Sequence, residues 1–244
     1  MDGKKIERTL RDIYQRLYEC YGPQHWWPAD NPFEVITGAI LTQSTAWSNV
    51  EKAITNLKNA GSLTAAALRE MPEERLAGLI HPSGYYNVKA RKLKSFVQRL
   101  GDKYDDNLEK LFNRSTPDLR EELLDIYGIG EETADSIILY AAGKPVFVID
   151  AYTRRIVDRL GLSPAKKTYS DYQKLFTDNL PADAPLFNEY HALIVRHGKE
   201  VCRKSPLCDR CRLNNTGKTA GQINTSYPCA NEGKPRDTAR RKQT

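Results

Sequence analysis

Four of the five cysteines fall between residues 202 and 229, and their spacing is the strongest chemical signal in the chain. In "CRKSPLCDRC", Cys202, Cys208 and Cys211 stand five and two residues apart, and Cys229 follows after seventeen more. Two thiolates at a two-residue spacing can share a metal, and a third and fourth complete the four-thiolate set that zinc or a 4Fe–4S cluster takes. A disulfide framework would instead spread its bridges through a small secreted domain. The cluster therefore favours a metal centre, and spacing alone leaves both metals open. Cys20 stands apart and reads as a small buried apolar residue.

A second candidate site is "YGIGEETAD", Tyr127 to Asp135, where a pair of glycines separates one apolar helical pattern from the next. Gly128 and Gly130 let the backbone turn tightly and approach another chain. The N–H groups of Gly128, Ile129 and Gly130, at the start of the next helix, are then candidates to bind a phosphate. Contacts of this kind hold a duplex without reading its sequence. The plain alternative is an ordinary αα-hairpin closed by a glycine cap. Twenty residues on, the apolar run "PVFVI" delivers Asp150 to the start of a helix with Ile156, Val157 and Leu160 on its apolar face. Capping is the commonest reason for an aspartate there. A carboxylate fixed by that cap and aimed into a cleft is the functional reading, and the two are compatible.

All three tryptophans lie near the N-terminus, Trp26 and Trp27 side by side in "HWWPADNPF" and Trp47 in "LTQSTAWSNV". Core packing is the bland reading for any one of them. Two adjacent tryptophans in a proline-bounded loop cannot both be hidden, so at least one is expected to line a slot suited to a planar base, and a cationic base gains a cation–π contribution there.

The elements that must carry these residues are helical. Leu10, Ile13 and Leu17 form one stripe, Phe33, Ile36 and Ile40 a second, Val50, Ile54 and Leu57 a third, and later stripes run through 93–100, 119–126, 136–142, 154–160 and 186–195. Thr116 before Pro117, and Pro72 before Glu73 and Glu74, are helix starts. The chain of 244 residues is long enough for two small domains and carries a net charge of +6, with basic patches such as "KARKLK" at 89–94, so nucleic acid is a suitable partner. It opens on a charged amphipathic helix rather than an apolar leader, and no stretch approaches the roughly 20 apolar residues of a membrane span. A soluble, cytoplasmic, monomeric protein is expected, with residues 214–244 a loosely ordered basic tail carrying Cys229.

In this order, "LTQST", "GIGEETAD", "VID" and the cysteine cluster resemble the endonuclease III branch of the helix–hairpin–helix DNA glycosylases, from about Glu7 to Cys211. The resemblance implies an all-α, two-domain fold: residues 1–30 and 115–213 form a terminal domain with an iron–sulfur loop, 31–114 a central domain, and 117–141 the helix–hairpin–helix. It also implies an active site in the cleft between domains, a 4Fe–4S cluster in preference to zinc on Cys202, Cys208, Cys211 and Cys229, and damaged double-stranded DNA as partner. By position, Asp150 matches the catalytic aspartate. Gln43 matches the glutamine that fills the gap left by a flipped nucleotide, Tyr85 the wedge beside it, and Gly128 to Gly130 the phosphate-binding hairpin.

One position departs from the bifunctional members, which carry a nucleophilic lysine two residues after the hairpin's last glycine; here it is Glu132. A glutamate cannot form an imine, so a monofunctional enzyme with water as nucleophile is expected. "WWP", Trp47 and Glu132 together look most like the 3-methyladenine DNA glycosylase III group, with Trp26, Trp27, Trp47 and Glu132 at the base pocket. Alkylation at N3 or N7 makes a purine cationic and a good leaving group, so one carboxylate suffices. The rival readings are a glycosylase for uracil, mismatched thymine or hypoxanthine, a lyase using Lys144 or Lys199, and a non-catalytic DNA-binding protein with a cluster.

Overall fold

The computed structural model describes residues 3–214; Cys229 and the expected tail lie outside the described residues. Twelve α-helices carry these residues, and no strand forms among them. The described residues fall into two compact units, one of residues 3–26, 149–181 and 189–214, the other of 27–148 and 182–188.

The larger unit holds α2 (Pro32–Leu41), α3 (Trp47–Asn59), α4 (Ala65–Glu70), α5 (Glu73–Leu79), α6 (Tyr86–Tyr104), α7 (Leu108–Phe112), α8 (Thr116–Leu124) and α9 (Glu131–Ser136). α9 runs on into a π-helical turn, Ile137–Ala141, within the stretch read from sequence as helical. Helix α2 is buried on every side, which is why its apolar residues crowd more densely than one amphipathic face requires. Helices α4 and α5 pack on α6, and α2 packs on the π turn. Asn31 caps α2 through Glu34 N, with Pro32 at the first helical position.

The domain boundary differs from the one expected. Residues 115–148 join the larger unit rather than the terminal one. Leu119, Leu123, Ile126, Ile129, Ala134 and Ile138 belong to one apolar core with Ile36, Ile40, Leu93 and Phe96, so burial ties the hairpin to α2 and α6. The cap of α8 is also one residue earlier than expected, because Ser115 Oγ accepts from Asp118 N and Thr116 is already helical.

The other unit contains α1 (Gly3–Tyr21), α10 (Ala151–Arg159), α11 (Tyr169–Thr177) and most of α12 (Ala184–Glu200). α1 buries Leu10, Ile13, Leu17, Cys20 and Tyr21, the face expected from period 3.6. Tyr190 on α12 donates to the carbonyl of Leu10 at 2.8 Å and meets Tyr14 edge-on, so α1 and α12 are fixed by both packing and a buried hydrogen bond. None of the described helices is long and apolar enough to cross a membrane.

Candidate active site

The hairpin between α8 and α9 is built around two glycines with different tasks. Gly128 has φ +81°, and a Cβ there would lie 2.3 Å from Lys92 Cγ, so only glycine fits both the left-handed backbone and the close approach. Gly130 is extended and begins α9, and a Cβ there would meet nothing within 4 Å. Ile129 departs from expectation: its N–H donates to Ile126 O at 3.1 Å and its side chain is buried, so it anchors the turn. No acceptor among the described residues takes the amides of Gly128 and Gly130.

Arg120 clamps the hairpin's two helices. Its Nε donates to the fully buried Asp135 at 2.7 Å and its Nη2 meets Glu131 at 3.3 Å. Desolvation works against the charged guanidinium, but the Asp135 carboxylate outweighs it and Arg120 is held above its ordinary range. Glu132, next along α9, is exposed.

Gln43 follows α2 and lies against this turn. Its Nε2 donates to Gly128 O at 3.1 Å and to Thr133 Oγ1 at 2.9 Å, while Lys92 Nζ donates to its Oε1. Gly128→Ala should destabilise the fold by about 1–2 kcal/mol from the left-handed backbone alone, and should weaken duplex binding as Lys92 is pushed off Gln43. Gly130→Ala should leave the melting temperature unchanged yet weaken salt-dependent duplex binding, because its methyl group meets only an approaching phosphate. Thermal melts beside a salt titration of DNA affinity check both.

Tyr85 is presented rather than packed. Gly84 and Tyr85 both have positive φ, +67° and +48°, and the Tyr85 ring is 72 % exposed at the start of α6. An aromatic side chain held in the left-handed region and in solvent points to a use outside the fold. "KARKLK", expected to be a basic surface patch, is not one. Lys89 is buried, Lys92 holds Gln43, and Lys94 donates to the carbonyls of Arg69 and Met71. Lys89 shares the core face of α6 with Leu93 and Phe96, four and seven residues on.

The adjacent tryptophans diverge. Trp27 meets Trp47 edge-on at 5.2 Å and Tyr140 at 5.2 Å, while its indole rests against Gly38, where a Cβ would be 3.2 Å away. Trp47 Nε1 donates to Glu51 at 2.8 Å, and Trp27, Trp47, Glu34, Glu51 and Lys58 line a cavity of about 130 Å³. Trp26 falls in the other unit, where Lys199 Nζ stands over its ring at 5.8 Å. Of the three tryptophans, the structure brings Trp27 and Trp47 together.

Asp150 is both buried and held. It is 9 % exposed, and its Oδ1 accepts from Thr153 N at 2.7 Å as the cap of α10. Its Oδ2 lies 3.8 Å from Nε2 of the buried His191 on α12. Burial lowers the His191 pKa, and Asp150 opposes that only in part, so the ring is neutral at pH 7. Sequence reasoning passed over His191, whose only signal is a titratable residue inside the apolar run "YHALIV".

Cys202, Cys208 and Cys211 line one cavity of about 370 Å³ with Ile156, Leu160 and Val201. Arg159 Nη1 donates to Cys202 Sγ at 3.2 Å, and burial pushes the Cys211 thiol up. Among the described residues no three such side chains converge on a single metal ion. Three thiols are part of the four-thiolate set that zinc or a 4Fe–4S cluster takes, and Cys229 lies outside the described residues.

The described residues thus form two helical units, one with a glycine hairpin between α8 and α9 and the other with a buried carboxylate at the start of α10. Residues 37–182 match the model of the HhH-GPD superfamily base excision DNA repair protein. The chain belongs to that superfamily, and is thereby a DNA glycosylase of the base-excision class. It is 47 % identical over 214 residues to a provisionally named DNA repair glycosylase of Methanocaldococcus jannaschii, covering 87 % of this chain and 97 % of that one. Endonuclease III of Thermotoga maritima is 30 % identical over 211 residues, covering 86 % and 91 %. Among solved structures, the 3-methyladenine DNA glycosylase of H. pylori bound to 1,N6-ethenoadenine superposes with a TM-score of 0.66 at 28 % identity, covering 82 % and 98 %.

Proposed function

We propose that this protein is a monofunctional DNA glycosylase that extrudes N-alkylated purines such as 3-methyladenine from duplex DNA and releases them by hydrolysis. The observation that carries this reading is Glu132, a carboxylate where bifunctional relatives keep their lysine, paired with Asp150 as a held carboxylate elsewhere in the chain. The likeness to a solved 3-methyladenine glycosylase supports the choice of lesion.

In this reading the C1′–N bond breaks with its electron pair passing to the base, which neutralises the positive charge that alkylation placed there. The sugar is left with oxocarbenium character. Asp150 stabilises that charge and accepts the proton of the water that attacks C1′. Its cap bond to Thr153 N takes one oxygen and fixes the carboxylate without reorganisation, leaving the second oxygen for the sugar or water. Trp27 and Trp47 offer ring faces to the extruded base, with the Glu51 carboxylate beside Trp47 favouring a cation. Trp26 is less suited to a cationic base, because the Lys199 ammonium already stands over its ring.

Gly128 and Gly130 take a phosphate while Gln43 and Tyr85 serve as filler and wedge. Cys202, Cys208 and Cys211, with Cys229, would hold a 4Fe–4S cluster, which would brace the segment that carries Arg203, Lys204, Arg210 and Arg212. Purified protein is expected to be brown, with iron and sulfide in equal amounts by assay. A colourless, zinc-containing protein would remove the cluster.

The deciding experiment is base release from methylated DNA measured beside duplexes containing uracil or hypoxanthine. Release of 3-methyladenine well above the others is expected. Strong uracil release with no 3-methyladenine release would transfer the protein to the uracil and thymine glycosylases.

A further inference from the structure

Lys89 is 2 % exposed, yet among the described residues it faces no carboxylate. Its Nζ donates to Leu41 O at 2.8 Å and to Ser83 O at 2.7 Å. Leu41 is the last residue of α2, two before Gln43, and Ser83 ends the short 3-10 turn His81–Ser83, two before Tyr85. Both carbonyls are helix-end groups with no onward helical partner, and one ammonium satisfies them together. A buried lysine kept without a counter-ion costs stability, and a well-packed apolar residue at this core position would avoid that cost. The fold therefore retains a charge whose one evident effect is to join two separate loops.

We propose that Lys89 is a positioning residue that holds the Gln43 loop and the Tyr85 turn at one fixed separation, so that both side chains enter the base stack together at the nucleotide being extruded. This rests on the glycosylase reading of Gln43 and Tyr85. Lys92, one turn along α6, reinforces the arrangement by donating to Gln43 Oε1 and packing over Gly128.

The charge on Lys89 is poised. Burial lowers its pKa to about 8 and Lys92 pushes the same way. Residues 41–46 carry no ionisable side chain, and residues 80–86 bring His81, Tyr85 and Tyr86. The charged residues on α4 and α5, Arg69, Glu70, Glu73, Glu74 and Arg75, do not shift it. Above about pH 8 the ammonium becomes an amine, a weaker donor to both carbonyls. The sign for stability is opposite. Because the folded pKa lies below the unfolded one, this group's penalty is complete below pH 8 and disappears as pH rises toward the unfolded value of about 10.4. Extrusion should therefore fall over a range in which this residue makes the fold no less stable.

The test uses the full-length protein and a duplex with 2-aminopurine beside a lesion, whose fluorescence rises on unstacking. Lys89→Met should bind undamaged duplex as wild type does but extrude about 10²-fold less well, the scale expected of a small misplacement remote from the chemistry. Lys89→Arg, which keeps a charged donor, should recover most of the loss and abolish the decline above pH 8. Extrusion by Lys89→Met equal to wild type would overturn the proposal, as would losses in both variants that simply follow melting temperature.

If Lys89→Met fails to fold, the wild-type pH series decides. A decline through pH 8 at constant melting temperature supports the brace, and a flat profile overturns it. If wild type extrudes no lesion at all, the functional reading fails on its own. Amide exchange at residues 42–46 and 84–86, compared between wild type and Lys89→Arg at pH 7 and pH 9, then judges the brace: acceleration confined to wild type at pH 9 supports it, and equal exchange overturns it.

Discussion

Asp150→Asn should fold and bind duplex DNA as wild type does while releasing alkylated base at least about 10³-fold more slowly, the scale of losing a charge that stabilises the transition state and takes a proton. The substitution isolates charge from structure. Asparagine caps helices as well as aspartate does, so the bond from Thr153 N survives, and with it the start of α10. His191, neutral because it is buried, loses no ion pair when the carboxylate is replaced. Asp150→Ala makes the complementary measurement: it removes the cap and should cost about 1 kcal/mol of stability in addition to activity. Single-turnover base release, read beside duplex affinity and thermal melts of both variants, separates the contributions. Wild-type activity in Asp150→Asn would leave the protein a DNA binder whose chemistry lies elsewhere or nowhere.

That aspartate was legible in the sequence because its position has a local cause: an apolar segment, then a helix whose first N–H groups need an acceptor. The stripes of α1, α2 and α3 were legible for the same reason, since a period of 3.6 places Leu10, Ile13 and Leu17 on one face whatever surrounds them. Allegiance between elements was not. Nothing local in Leu119 or Ile129 says that they share a core with Ile36 and Phe96, so the hairpin was placed with the wrong unit.

Lys89 was misread for a related reason. Type and neighbours mark "KARKLK" as a solvated patch, and only the turning of α6 carries one of its lysines into the interior to meet two carbonyls that are far apart in the chain. The divergence of Trp26 from Trp27 was foreseeable as geometry, since adjacent side chains leave a loop in different directions. Which of them would join Trp47 was decided by packing on Gly38 and Tyr140.

Glu132 carries the second large expectation. Wild type should give no covalent adduct when borohydride is added during turnover on lesion-bearing or abasic duplex, and the strand should stay intact until alkali breaks it. An imine requires a neutral amine to displace the base at C1′, after which the opened sugar can lose its 3′ phosphate; a carboxylate cannot begin that sequence. Glu132→Lys should restore a trapped adduct on abasic duplex.

The rate of trapping is expected to be small and informative. Residue 132 is exposed, so a lysine there keeps a pKa near its ordinary value and only about one molecule in a few thousand is neutral at pH 7. Trapping should then rise about tenfold per pH unit across the alkaline range below that value. The cost to the fold is about 0.3–1 kcal/mol, since a cation replaces an anion at the first turn of α9. An adduct with wild type would point to another nucleophile, and replacing Lys144 or Lys199 with methionine would identify it. No adduct with Glu132→Lys on abasic duplex, where loss of the base is no longer required, would mean that this position does not face the sugar. The absence of a lysine would then say nothing about mechanism, and the monofunctional reading would have to stand on the wild-type trapping result alone.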